Sequence, residues 1–262
     1  MVPSPTEGQR GILAKPMPRA RIWYARRVQP VIKFERRYDV DRMKHDMEVA
    51  LGYGVELMNR GDYHDGGWRA VPLHAVDGRT DAAGLRWAGW DATYDKTPIL
   101  KACPYLEEIV DGFECPKERV RLLRLEPGKN INTHTDLGDG WAMGKVRLHI
   151  PIVTHDEVYF FVDDERVVMR PGELWYCDFT HPHRVHNKSS IGRVHMVLDL
   201  KVNDWLRGFF PPEPIGDKVK NAVQKARYFG TYYAKQAAAH PALAPVKKQV
   251  KKALSRRRGA TP

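Results

Sequence analysis

Residues 119–202 read RVRLLRLEPGKNINTHTDLGDGWAMGKVRLHIPIVTHDEVYFFVDDERVVMRPGELWYCDFTHPHRVHNKSSIGRVHMVLDLKV. The passage breaks into short β-type segments: Arg119–Leu125, Asn130–Asp136, Lys145–Val153, Glu157–Val162, Arg166–Arg170, Glu173–Phe179, His183–Asn187 and Arg193–Val202. Turn formers separate them, among them Glu126-Pro127-Gly128, Gly138-Asp139-Gly140, Asp163-Asp164-Glu165 and Pro171-Gly172. Eight short strands at about ten-residue spacing predict a β-sandwich, barrel or jelly roll. The chain is therefore mainly β.

Alternation inside the strands adds a second layer. In Lys145–Val153 one face carries Val146, Leu148 and Ile150, and the other carries Arg147 and His149. In Arg193–Leu200 one face carries Val194, Met196, Leu198 and Leu200, and the other carries Arg193, His195, Val197 and Asp199. A period of two fits either a solvated polar face or a polar cavity between two sheets, and the period alone does not choose. Arg and His recurring together on two strands favour the cavity.

Upstream the text is less regular. Residues 1–20 are Pro-rich and basic and read as a disordered arm. Arg27–Arg37 alternates like a strand. Asp39–Leu51 reads as a helix capped by Asp39 or Asp41, with Gly52 just past its end. Residues 52–100 are rich in Gly, Asp and Trp and read as long loops around short strands. Pro104–Asp111 reads as a short helix. These helices flank the β region, so the class is α+β, with the main domain spanning 21–214.

Composition bounds the function classes. The chain has 262 residues, 42% hydrophobic and 29% charged, which excludes collagen-like, coiled-coil and fully disordered chains. No run approaches the roughly 18 apolar residues of a membrane span. The N-terminal text lacks the apolar core of a secretory signal. Three cysteines, Cys103, Cys115 and Cys177, cannot all pair, which fits a reducing compartment and a cytoplasmic protein. Charge is segregated. From Lys218 to Pro262 there are twelve Lys or Arg and no Asp or Glu, while 1–217 holds 31 basic and 32 acidic residues. The body thus shows no basic bias for nucleic acid, and a nucleic-acid partner is disfavoured. Residues 215–262 read as a basic, partly helical tail with amphipathic stretches at Lys218–Ala239 and Pro245–Arg258. It is either a solubilising segment or a peripheral contact for an anionic membrane surface.

His134-Thr135-Asp136 places an imidazole and a carboxylate on one face of a strand. His181, His183 and His186 each offer a third donor. Two His and one carboxylate form a facial triad that suits non-haem Fe(II) and leaves positions open. The His-x-Asp spacing alone is weak, and it leaves the third ligand undecided.

The ordered set of pieces is more specific. LLRLEPGKNINTHTD, KVRLHIPIVT, VVMRPGELWYCDFTHPHRVHNKS and GRVHMVLDL together resemble the aspartyl/asparaginyl β-hydroxylase family of Fe(II)/2-oxoglutarate dioxygenases, which includes proline cis-hydroxylases and lipid A hydroxylases. HDGGWRAVPL matches more loosely. The resemblance implies a double-stranded β-helix (jelly-roll, cupin-like) core and the cofactors Fe(II), 2-oxoglutarate and O2. It implies His134, Asp136 and His183 as metal ligands, since His183-Arg184-Val185-His186-Asn187 fits the family's H-x-V-x-N pattern. It implies Arg193, ten residues on, as the anchor for the cosubstrate's far carboxylate, and His149 of Arg147-Leu148-His149 beside the cosubstrate. His195 shares a face with Arg193 and is a further pocket candidate. Animal members place Ser eleven residues before the first His, where this chain has Leu123.

The resemblance also implies hydroxylation of an unactivated C–H bond, with succinate and CO2 as co-products. The expected substrate is an amino acid, or an amino-acid residue in a small peptide or natural product. A lipid-linked substrate and a redox-neutral metal-binding barrel are the alternatives. Trp68, Arg69, Arg124 and Trp141 are the substrate-side candidates. The oligomeric state is not legible.

Overall fold

The computed structural model describes residues 29–54, 56–57, 63–89, 92–136 and 138–239. The arm 1–20 and the stretch Pro245–Arg258 lie outside the described residues. The chain divides into two units, Met1–Pro214 and Ile215–Pro262. The second contributes one described helix, Ile215–Ala239.

The first unit is built on two antiparallel sheets. Its strands are β1 (Val31–Arg37), β2 (Glu56–Leu57), β3 (Trp68–Val76), β4 (Tyr94–Lys96), β5 (Lys117–Leu125), β6 (Asn130–His134), β7 (Lys145–Val153), β8 (Val158–Val162), β9 (Glu165–Arg166), β10 (Glu173–Cys177), β11 (His183–Asn187) and β12 (Arg193–Lys201). The larger sheet runs β1-β10-β7-β12-β5-β3-β2, with β4 beside β3, and the smaller runs β6-β11-β8-β9. From β5 onward the chain crosses between sheets: β5, β7, β10 and β12 fall in the larger, β6, β8 and β11 in the smaller. That crossing is the double-stranded β-helix, or jelly roll, with helices flanking its larger sheet.

The flanking helices are α1 (Val40–Gly52), α2 (Pro98–Lys101), α3 (Pro104–Asp111) and α4 (Asp204–Arg207). Asp39 caps α1 by accepting from the N–H groups of Asp41 and Arg42, which satisfies donors the helix cannot. Gly52 belongs to the helix, and Tyr53 ends it. Asp46 of α1 in turn accepts from the first N–H groups of α3, at Tyr105 and Leu106. This buried bond locks the two helices together. Met43, Met47, Leu106 and Val110 then pack on Val120, Leu148, Met196 and Leu198 from the outer face of the larger sheet. The apolar stripe of each central strand is thereby covered by helices.

Two segments depart from the sequence reading. The strand expected at Arg166–Arg170 is only the two-residue β9, Glu165–Arg166, which closes a tight hairpin with β8, and residues 167–170 belong to no strand. Residues 68–76, within a region expected to hold long loops around short strands, form a nine-residue strand paired with β5. It shows almost no alternation because nearly all of it is buried. It also contains Pro72, which ordinarily argues against an interior strand. The ladder to β5 shifts register between Pro72 and His74, so the missing N–H falls at an irregularity. Gly172 in the β9–β10 connection is required by sterics. Its φ is +77°, and a Cβ there would lie 2.6 Å from the Tyr38 carbonyl oxygen.

Candidate active site

The polar stripes turn inward. Arg121 and Leu123 of β5, Arg147 and His149 of β7, and Arg193 of β12 face His134 of β6, Phe160 of β8 and His183 of β11 across a cavity of about 180 Å³. The alternation that periodicity could not resolve is therefore that of a chamber between two sheets. Trp68, Leu85, Arg86 and Trp87 form its outer wall.

His134, Asp136 and His183 each bring one donor atom within 4.8 Å of the others. The two histidines are directly opposed residues of the β6–β11 ladder, with ring centroids 4.1 Å apart. Each ring is oriented by its own backbone. His134 Nδ1 lies 2.8 Å from the Asn132 carbonyl oxygen, and His183 Nδ1 lies 3.0 Å from that of His181. A carbonyl only accepts, so Nδ1 carries the proton and the Nε2 lone pair of each ring is left for a metal. Burial, then the neighbouring His134, pushes His183 down to about 4, so it is a neutral donor at physiological pH. Asp136 is not on the strand, as the spacing suggested. It lies two residues past the end of β6, where its N–H donates to the Phe179 carbonyl at 2.7 Å. His181 pairs with Asp163, and His186 with Asn130, so neither joins the group.

A buried ionic network braces this group. Arg147 donates to Asp136 at 2.6 Å, to Asp139 at 2.7 Å and to Asp199 at 2.6 Å. Arg119 and Arg121 each reach Asp199 at 2.8 Å. Burial pushes the Asp199 carboxyl up, but Arg121, Arg147 and Arg119 more than offset it and hold it well below the usual range. Three guanidiniums thus face three carboxylates.

Arg193 stands outside that balance. It is 2% exposed, its Nη2 donates to His195 Nδ1 at 2.8 Å, and its Nε has no partner among the described residues. Burial lowers its pKa from 12.5 to about 9. His195 must accept from Arg193, which places its own proton on Nε2. His149 Nδ1 sits 3.3 Å from the same His195 nitrogen, and His149 Nε2 has no partner among the described residues. Burial, and then Arg193, holds both imidazoles well below 6.5 and therefore neutral. A buried cation without a carboxylate is costly, and a bidentate carboxylate ligand would relieve it.

The substrate-side candidates divide. Trp68 lines the cavity, with no partner for its indole Nε1 among the described residues. Arg69 and Arg124 are register partners on the opposite pleat and pair with Glu126. Trp141 is buried in the outer core, 4.7 Å from Phe210. The pleat and the hydrophobic core, respectively, take these three away from the chamber. Leu123 contributes an apolar wall. Arg119, Arg121, Asp139 and Asp199 were missed. The available signal was Arg119-x-Arg121-x-Leu123, an alternation matching that of the other two cavity strands.

The sequence profile of the family described as Aspartyl/Asparaginyl beta-hydroxylase matches residues 39–202, well over half of the chain. The chain belongs to this family. Among its relatives, the L-proline cis-4-hydroxylase of Rhizobium meliloti (strain 1021) is 29% identical over 118 residues, which is 43% of this chain and 41% of that protein. L-proline cis-3-hydroxylase 2 of a Streptomyces species is 26% identical over 168 residues, which is 62% of this chain and 57% of that protein. The chain therefore spans about half the length of these hydroxylases. Among solved structures, an oxidoreductase of the 2OG-Fe(II) oxygenase family from Burkholderia pseudomallei aligns with a TM-score of 0.46 at 12% identity, covering 66% of this chain and 84% of that one. Among the described residues, no helix is long and apolar enough to cross a membrane. All three cysteines are free and buried.

Proposed function

We propose that the chain is an Fe(II)- and 2-oxoglutarate-dependent hydroxylase acting on an amino acid, or on an amino-acid residue in a small peptide or natural product. The observation that carries this reading is the pairing, in one chamber, of a two-histidine, one-carboxylate group with a buried Arg193 that has no carboxylate partner among the described residues.

The donor chemistry fits both groups. His134 and His183 through Nε2, and Asp136 through a carboxylate oxygen, would hold Fe(II). Arg193 would hold the far carboxylate of 2-oxoglutarate, with His149 and His195 beside it. When bound, that pair supplies the oxidising power to place one oxygen atom of O2 on a C–H bond, with succinate and CO2 as co-products.

The remaining work falls to the chain. Arg147 fixes the carboxylate of Asp136 against the Asp199 and Asp139 anchors, which limits the orientations open to that ligand. Phe160, Phe179 and Leu123 exclude water from the inner wall. Arg121, which lines the cavity and whose Nε has no partner among the described residues, is the candidate hold for a substrate carboxylate, with Trp68 against the substrate's apolar body. Trp68 keeps the substrate-side role expected of it, and Arg121 is proposed for that role in place of Arg69, Arg124 and Trp141.

The test is anaerobic titration of the apoprotein with Fe(II) and 2-oxoglutarate, followed by the weak visible charge-transfer band of the chelate. A band in the wild type that is lost in His183→Ala and weakened in Arg193→Ala supports the reading. Metal binding without any 2-oxoglutarate-dependent band would favour a redox-neutral metal barrel instead. A lipid-linked substrate is the second reading, and the observation favouring it is the exposed basic helix Ile215–Ala239.

A further inference from the structure

Helix α5 (Ile215–Ala239) has 25 residues, and none of its described side chains is buried. Helices of this length in folded proteins ordinarily hide one face, because packing rather than intrinsic propensity supplies most of their stability. Here Ile215, Val219, Val223 and Tyr233 are 80%, 59%, 46% and 53% exposed. They are not scattered. With Ala222, Ala226, Phe229 and Gly230 they recur at steps of three and four, so they make one continuous apolar stripe. Phe229 stacks on Tyr233 at 6.0 Å within it.

Charge follows the same geometry. Lys218 and Lys225 border the stripe on one side, and Lys220 and Arg227 border it on the other. The sole acidic residue, Asp217, sits in the first turn, where the helix dipole favours a negative charge. From Lys218 to the last residue there are twelve basic residues and no acidic one.

We propose that α5 lies in the plane of an anionic phospholipid surface. Its Ile215–Tyr233 stripe faces the acyl boundary, and Lys218, Lys220, Lys225 and Arg227 sit at the phosphates. The combination selects the occupant. A nucleic acid would use the charge but leave the apolar stripe in water. A second copy would bury the stripe but bring the basic borders of both helices together. A bilayer interface uses both: apolar side chains enter the boundary region, Lys and Arg stems extend to the headgroups, and the tyrosines suit the same level. Because α5 is not apolar enough to cross, it lies on the surface. This inference does not depend on the hydroxylase reading.

The test is co-sedimentation of the full-length protein with vesicles of phosphatidylcholine alone, and with vesicles in which a third of the lipid is phosphatidylglycerol. Binding to the anionic vesicles alone, weakened by added salt, is expected. Replacing Lys218, Lys220, Lys225 and Arg227 by Gln should weaken it roughly six-hundredfold, since each of the four basic residues at such a surface contributes about fivefold. Val219→Asp with Val223→Asp should also abolish binding while circular dichroism shows an intact β fold. Absence of binding, or equal binding to both vesicle types, overturns the proposal. So does tail-dependent binding of a DNA or RNA oligonucleotide that survives Val219→Asp with Val223→Asp while vesicles are ignored. A concentration-dependent doubling of mass that the valine variants abolish, without vesicle binding, overturns it in favour of self-association.

Discussion

Replacing Arg193 by Met removes a buried guanidinium and leaves an apolar chain of similar length. In the ligand-free protein, the fall in its pKa from 12.5 to about 9 shows that the fold disfavours this cation. At about 1.4 kcal/mol per unit, the fall corresponds to about 5 kcal/mol. Relaxation and water entry reduce that figure, and apolar replacement of buried ionic groups gains about 1–4 kcal/mol in practice. Loss of the bond to His195 takes back about 1 kcal/mol. Arg193→Met should therefore stabilise the ligand-free protein by about 2 kcal/mol, a rise in Tm of about 6 °C for a domain of this size. With Mn(II) in place of iron and saturating 2-oxoglutarate, the order reverses. The wild type gains about 3 kcal/mol at a hundredfold excess of ligand over Kd. The variant gains little, because losing the charged partner of a buried carboxylate costs about 2–5 kcal/mol of binding. Urea unfolding with and without the ligand pair reads both effects. A variant less stable than wild type without ligand, or one showing undiminished stabilisation by 2-oxoglutarate, would refute the argument that Arg193 is held in readiness for a carboxylate.

Asp199→Asn leaves Arg119, Arg121 and Arg147 buried against one fewer anion and should cost about 3–5 kcal/mol in urea unfolding. Because Arg147 also holds Asp136, Mn(II) affinity should fall in the same variant, and unchanged stability and affinity would count against the bracing role. His149 and His195 are neutral in the fold, with pKa values well below 6.5, so the unfolded chain binds more protons as pH falls through 6.5. Their contribution is present above that pH and is lost below it, at about 1.4 kcal/mol per pH unit for each histidine. His149→Leu should flatten the pH dependence of unfolding between pH 6 and about 5 by that amount, and an unaltered slope would show that His149 is already protonated in the native state. Trp141→Ala should lower stability by about 3–4 kcal/mol through the cavity left beside Phe210. Its KM for substrate should stay unchanged, and a selective KM effect in a stable variant would restore Trp141 to the substrate side.

The sequence by itself determined what depends on near neighbours. Turn residues marked most of the strands from β5 to β12 because Gly and Pro act on the backbone locally, although β6 ends two residues early and β9 is only Glu165–Arg166. The strand period placed Arg147 with His149 and Arg193 with His195, since adjacent side chains on a strand must alternate. The absence of acidic residues after Lys218 was plain without any fold. The choice of His183 over His181 and His186 was carried by family resemblance rather than by spacing.

Tertiary structure decided what depends on residues far apart in the chain. The polar stripes proved to face a cavity only because the second sheet closes over them. Trp68–Val76 is a strand because β5 pairs with it, and burial on both faces erased the alternation that would have marked it. Asp199 neutralises Arg121 from 78 positions away, and no local pattern encodes such a pair. Arg193 has its significance for the same reason. Its residue type was visible from the start, but its lack of a carboxylate partner among the described residues is a property of everything folded around it.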